Sequence, residues 1–269
     1  MNTPSRPRAT KIICTIGPAT DTSDMLGQLI EAGANVFRLN MSHSKHDWVR
    51  EVVFRIRRKA AELEANVAIL FDLQGPSIRT GDLAEPYHLK KGDTVEIRLG
   101  TAKPELPFST TVNYDGLLQD VQAGHTMVVD NGGILMRIAE VRPDRLICDV
   151  LTEGVFGSRR HINLPGVALR LPALTEKDLA DLAVAVECET DYVAMSFVRD
   201  AAHIAQLREH IDNLGGKAQI VAKIEDQQAV RHIDDIILAA DVIMVARGDL
   251  GIEVSIEELP IIQRRIVRH

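Results

Sequence analysis

VAILFDLQGPSIR, residues 67–79, is almost continuously apolar as far as Phe71, sets an aspartate at position 72 and then breaks on Gly75 and Pro76. An apolar run without alternation is what a strand covered on both faces requires, and parallel sheets cover their strands in that way. The texture differs on the two sides of this stretch. Upstream, KIICTI (11–16) and NVFRLN (35–40) read as strands. Between them Met25, Leu26, Leu29 and Ile30 recur at helical spacing, and Gly33 offers a C-terminal stop. RRKAAELEA (57–65) reads as a second helix leading into residues 67–73. Downstream, from about Ser77 to Arg170, helical periodicity gives way to short alternating runs such as TVEIRL (94–99), with Val95, Ile97 and Leu99 on one face.

The α/β texture then resumes. Thr175 and Asp178 resemble a capping box, and Leu179, Leu182, Ala183 and Val186 give the helix they open an apolar stripe. YVAMSFV (192–198), QIVAKI (219–224) and DVIMVA (241–246) are three further strands, the last ending in a charged turn, RGDLGIE. Ile204, Leu207, Ile211 and Leu214 mark a helix that Gly215 and Gly216 close. The expected organisation is a main α/β unit over 1–76 and 171–269, interrupted by a β-rich insertion over 77–170. Six strand–helix steps fit either an open doubly wound sheet or a (β/α)8 barrel. The barrel is favoured because polar residues end several strands: Arg38 and Asn40, Asp72, Ser196, Lys223 and Glu225, Arg247 and Asp249. An open sheet gathers its site at one switch point, whereas a barrel gathers it from many strand ends.

The 269 residues carry 31 Lys and Arg against 38 Asp and Glu, a formal charge of −7, which disfavours a protein held to nucleic acid by phosphate contacts. The 3 cysteines, Cys14, Cys148 and Cys188, are far apart and form no metal-type pairing, which points to a reducing cytoplasm. No apolar run approaches a membrane span, and the polar opening MNTPSRPRAT, with two prolines, gives no expectation of a targeting signal.

Extension would put Arg38, Asn40 and Ser42 on one face, Lys223 with Glu225 on another strand, and Arg247 with Asp249 on a third. As ordinary surface ion pairs these would contribute little, but their recurrence at separate strand ends points to a rim site. Glu225 and Asp249 suit a hard divalent ion that takes its other ligands from water and substrate, with magnesium the natural candidate. Lys223 can place a compact charge on a phosphoryl group, and Arg38 can clamp phosphate oxygens. Gly248 and Gly251 permit close backbone approach by a carboxylate, or simply form a glycine turn.

Seven stretches together resemble the pyruvate kinases: TKIICTIGPAT (10–20), AGANVFRLNMSHS (32–44), LFDLQGPSIRTG (70–81), HINLPGVALRLPALTEKDL (161–179), AMSFVRDA (194–201), IVAKIEDQQAV (220–230) and VIMVARGDLGIE (242–253). The resemblance implies a (β/α)8 A domain with a mobile B domain inserted after the third strand. It also implies ATP formation from phosphoenolpyruvate and ADP, and a homotetramer. By the same resemblance Lys223 stabilises the transferring phosphoryl group, Arg38 holds the substrate phosphate, and the backbone of Gly248 and Asp249 receives the substrate carboxylate. Glu225 and Asp249 match the magnesium ligands. Asn40, Ser42, Asp72 and the Leu73 carbonyl match a potassium site. Asn40, Met41, Ser42, His43, Arg79 and Arg160 match nucleotide-contacting positions. Three positions depart from the pattern: Ser77 stands where Glu or Lys is usual, His161 where glycine is usual, and Arg160 where lysine is commoner. The sequence ends in IIQRRIVRH, inside what resembles the helix after the sixth strand. The expectation is therefore a barrel truncated after about six strands, which can associate through open edges. Two other readings stand beside this one, a non-catalytic remnant or interaction protein, and a magnesium-dependent barrel lyase acting on pyruvate-like enolates.

Overall fold

The computed structural model describes residues 9–268, so most of the N-terminal segment read as free of targeting signals, and His269, lie outside the described residues. The chain alternates from its start: β1 (Ile13–Ile16), α1 (Ser23–Glu31), β2 (Val36–Asn40), α2 (His46–Glu62) and β3 (Ala68–Asp72). Thr22 caps α1 by accepting the Met25 N–H at 3.3 Å, and Gly33, at φ 100°, supplies the left-handed residue that ends it. Along α2, Val49, Val52, Val53, Ile56 and Ala60 fall on one buried stripe, and full burial of side chains as large as its Val and Ile is worth about 1.5–3 kcal/mol each.

After β3 the chain leaves for the β-rich unit: β4 (Tyr87–Leu89), β5 (Thr94–Arg98), β6 (Phe108–Thr111), α3 (Leu117–Asp120), β7 (Thr126–Val129), β8 (Ile134–Val141), β9 (Arg145–Val150), β10 (Gly154–Phe156) and β11 (Ile162–Asn163). The order β11-β7-β8-β9-β5-β6 would leave β11 and β6 as edges. The stretch Ile78–Gly81 joins them: Arg79 bridges His161 beside β11, Thr80 bridges Val112 beside β6, and Gly81 N–H donates to the Thr111 carbonyl at 2.8 Å. The sheet thus closes into a small barrel with its own apolar core, from Ile78 to Leu164. Glu96, which alternation would send to solvent, is fully buried; Arg145 pairs with it at 2.8 Å, and the Glu105 and Leu106 N–H groups donate to it.

The chain then completes the larger sheet with α4 (Glu176–Glu187), β12 (Tyr192–Met195), α5 (Ala201–Asn213), β13 (Gln219–Ile224), α6 (Gln227–Arg231), α7 (Ile233–Ala239), β14 (Val242–Val245), α8 (Arg247–Glu253) and α9 (Leu259–Arg268). Six strands run parallel in the order β1-β2-β3-β12-β13-β14. The residues of the helices that pack on this sheet lie in one core, with Phe37, Leu39, Ile69 and Phe71. The opposite face carries a separate layer, Leu70, Ala194 and Val221 with Val36, Tyr192 and Met244, to which no helix contributes. Helices on one face only, over a sheet whose other face packs on itself, are the geometry of a (β/α) barrel and not of a doubly wound sheet.

Two local expectations are corrected. In α4 the buried face holds Asp178, Asp181, Leu182, Val184 and Ala185, while Leu179 is 37% exposed. The helix turns its acids inward because they have partners there: Asp178 accepts the Gly75 N–H at 3.0 Å, and Asp181 lies 2.6 Å from Lys177 and 2.7 Å from His46. The charged turn after β14 is the helix α8, so Arg247 and Asp249 are not alternate residues of an extended strand.

Candidate active site

The parallel register brings the inward-facing polar residues together at the C-terminal ends of the strands. Thr15 is in register with Arg38, Asn40 with Asp72, and Asp72 with Ala194. With strands about 4.8 Å apart, side chains in register on one face touch. Arg38 Nε donates to Asp72 Oδ2 at 2.7 Å, and Nη1 donates to Thr15 Oγ1 at 2.9 Å. Lys223 Nζ donates to Ser196 Oγ at 2.7 Å and pairs with Glu225 Oε1 at 2.9 Å. The Ser196 hydroxyl in turn donates to the Leu73 carbonyl at 2.8 Å. Asp72 Oδ1 lies 3.2 Å from Lys223 Nζ but receives no aligned hydrogen bond, so a buried carboxylate oxygen is left without a donor.

Burial dominates the electrostatics. Glu225, 2% exposed, has its pKa raised by desolvation and by the nearby Asp249 charge, against the pull of Lys223 and of the Phe197 N–H donating at 2.6 Å. Burial works to lower Lys223, but Glu225 and Asp72 outweigh it and hold the ammonium charged. Phe197 presents its N–H from a backbone at φ 55°, a conformation costly for a bulky side chain. Gly75, at φ 70°, lies under the same corner, and a Cβ there would meet Ser196 Cβ at 2.9 Å.

A cleft of about 370 Å³ opens over this cluster, between the strand ends and the small barrel. It collects Arg38, Asn40, Ser42, His43, Asp72, Leu73, Lys223, Glu225 and Asp249 from the larger sheet, and Arg79 and Arg160 from the insertion. Ser77 and His161 line it too. Arg160 pairs with Asp130 at 3.2 Å. Burial and the Arg79 charge lower the His161 pKa, and its ring stands 5.8 Å from that of Phe197. Gly248 is exposed in the first turn of α8, where an added Cβ would meet nothing within 4 Å.

Met41 is the residue the structure sets apart. Its side chain is 0% exposed in the main core, and its carbonyl accepts from Lys177 Nζ at 2.7 Å, so no side-chain contact with a ligand in the cleft is open to it. Thr15, Phe197 and Lys177 are residues around the site that pattern reading passes over, and Asp178 is one that it finds only as a helix cap. Thr15 carried the one usable signal, a polar residue near the end of an otherwise apolar strand. The roles of the other three depend on contacts between segments more than 25 residues apart.

Residues 7–269 match the family described as pyruvate kinase, barrel domain. The chain is 40% identical over 267 residues to plastidial pyruvate kinase 2 of Arabidopsis thaliana, covering 98% of this chain and 46% of that protein. It is 38% identical over 262 residues to a pyruvate kinase of Mycobacterium tuberculosis (97% and 55% covered) and 40% identical over 265 residues to one of Geobacillus stearothermophilus (97% and 45%). The chain therefore spans about half the length of these curated relatives. Among the described residues no helix is long and apolar enough to cross a membrane.

Proposed function

The chain belongs to the pyruvate kinase family, and from that premise we propose that its cleft binds phosphoenolpyruvate and a nucleoside diphosphate and moves the phosphoryl group between them, leaving pyruvate and ATP. The observation that supports this most is the Arg38–Asp72–Lys223–Glu225 cluster, two cations and two buried carboxylates linked by contacts of 2.5–3.2 Å at one rim. A guanidinium has five N–H groups and Arg38 spends three on Asp72 and Thr15, so two are free for phosphate oxygens. Lys223 has firm partners in Ser196 and Glu225, whereas its Asp72 contact is long and misaligned. Its third N–H is the one that turns to a phosphoryl oxygen. The amides of Gly248 and Asp249, in the first turn of α8, have no intrahelical acceptor and can receive a carboxylate. Arg79, Arg160 and His43 line the side where the small barrel approaches and suit a polyphosphate.

The donor set fits magnesium: Glu225 and Asp249 are two carboxylates close enough that the Asp249 charge raises the cost of ionising Glu225, and they would hold the ion. When bound, a divalent ion of this kind neutralises charge on the phosphoryl oxygens. The donor-free Asp72 Oδ1, with Asn40, Ser42 and the Leu73 carbonyl, fits a monovalent cation such as potassium. Ser77 offers no fixed charge there, so we expect potassium to activate partially. The test is pyruvate formation by the purified chain from phosphoenolpyruvate, ADP and magnesium, beside calorimetric titration with phosphoenolpyruvate. Saturable binding that Arg38→Met weakens at least tenfold is expected. Absence of both turnover and binding would leave the fold without this function.

A further inference from the structure

Behind the cleft lies a second cavity of about 210 Å³, between the segment that returns from the small barrel and the elements around Glu225 and α6. Its walls are largely apolar, with Ile162, Leu164, Val167, Leu169 and Phe197 among them. Two polar groups in it are incompletely answered, one lacking a hydrogen bond and the other a counter-charge. Asn163 is 6% exposed, and its Oδ1 has no hydrogen-bond partner. Glu253 is 9% exposed, and among the described residues no Lys, Arg or His comes within ion-pair distance of it. Its carboxylate is steadied by hydrogen bonding from the Asn163 side chain and the Gly166 N–H, with the Asp226 charge opposing it.

Of the other titratable groups that line the cavity, Glu225 is paired with Lys223, burial holds His161 towards its neutral form, and Arg231 and His232 stand at the exposed edge. Asp226 accepts the Ala229 N–H at 2.7 Å and feels the Arg199 and Arg231 charges. The buried Arg199 donates to the carbonyls of Leu169 at 2.7 Å, Pro172 at 3.3 Å and Leu171. What is left is one acid and one amide oxygen, both acceptors, in an apolar enclosure. A metal ion does not suit it, because one acid and one amide oxygen in an apolar enclosure are too few hard donors for a divalent ion. A dication does not suit it either, since the exposed Arg231 and His232 also line the cavity.

We propose that this cavity is a binding site for a small protonated monoamine with an apolar body, its ammonium held by Glu253 and Asn163 Oδ1 and its carbon chain by the apolar walls. The inference does not depend on phosphoryl transfer in the neighbouring cleft. Burial, with Asp226 next in effect, raises the Glu253 pKa to about 7, so the acid is ionised at pH 8 while an alkylamine is still charged.

The probe is n-butylammonium, titrated into the full chain at pH 8 by calorimetry and by the NMR signal of the Asn163 side-chain amide, with n-butanol as the neutral isostere. A hydrogen bond to a charged group is worth about 1.5–3 kcal/mol, or roughly a 10- to 100-fold change in affinity. Saturable amine binding is expected, weakened at least tenfold in Glu253→Gln and in Asn163→Leu. On the unmodified chain, affinity should fall as pH drops below 7 and Glu253 takes up a proton. Three results would each overturn the proposal: no saturable binding at pH 8, n-butanol bound as tightly as the amine, or a wild-type affinity that is flat with pH. Undiminished binding in a folded Glu253→Gln variant would do the same.

Discussion

Lys223→Met cuts the centre out of the buried ion network, and its effect can be followed without any substrate. Glu225 is 2% exposed and Lys223 11%, so solvent screens their 2.9 Å contact poorly. Without the ammonium, Glu225 keeps one donor, the Phe197 N–H, and still faces Asp249. Asp72 fares better because Arg38 holds it at 2.5 Å. Removing one partner of a buried pair typically costs about 3–5 kcal/mol; proton uptake by the stranded acid trims this, so we expect about 3 kcal/mol at pH 8. Glu225→Gln alone should cost less, since Lys223 retains Asp72 and Ser196. If the stranded carboxylate is the source of the penalty, adding Glu225→Gln to Lys223→Met should recover stability. The coupling energy should then be about 2 kcal/mol. Urea unfolding of the four proteins in magnesium-free buffer measures it. A coupling under about 0.5 kcal/mol would refute the reasoning, because additivity within that error is what independent sites show.

Glu253 sets a pH dependence. Its folded pKa of about 7 lies above the ordinary 4.5, so the folded state binds the extra proton and stability should fall as pH rises between those values. The stabilisation by Glu253→Gln should accordingly be larger at pH 8 than at pH 5, by up to ~3 kcal/mol, and a pH-independent difference would contradict it. Asp249→Asn removes one anionic ligand, so more magnesium should be needed for ligand binding in the cleft, and an unchanged magnesium titration would move the metal site elsewhere. Gly75→Ala meets both a positive φ and a 2.9 Å contact with Ser196 and should cost about 2 kcal/mol or more in thermal unfolding. The outer edges of β1 and β14 have no strand partner among the described residues, and Ile13 and Val242 are 51% and 38% exposed. Light scattering on the isolated chain should show concentration-dependent association, and a strict monomer would count against exposed pairing edges.

What could be read in the sequence depended on how local its cause was. All six parallel strands are visible as apolar runs, and in β3, β12 and β13 the cause is burial on both faces, which leaves little freedom for polar residues inside them. The rim acids and cations are visible because they break those runs. The rotation of α4 is not, since beyond their local partners Asp178 and Asp181 turn inward to meet Gly75 and His46, which belong to distant segments. Glu96 misleads in the same way, as its partner Arg145 is a strand away. RGDLGIE reads as a turn because its two glycines lower helix propensity, and packing of Leu250 in the main core overrides that preference. Met41 sits between two rim residues, yet the turn that carries it faces the other way, into the core.

The closing stretch Ile78–Gly81 has a consequence for the entropy of the whole chain. Thr80 and Arg160 are 80 residues apart in sequence, yet the Arg160 N–H donates to the Thr80 hydroxyl at 2.8 Å, and Arg79 and His161 form an antiparallel bridge. The insertion leaves and returns through one gate. Once the small barrel has folded, β3 and α4 are joined through a connection no wider than a hairpin, and the closure cost of a long loop, which grows with the logarithm of its length, has been met inside the insertion itself. The larger sheet is therefore indifferent to how much chain lies beyond the gate. Additions at exposed turns of the small barrel away from the cleft, such as that at Gly100, can lengthen the chain without loosening the strands that hold Asp72 and Lys223.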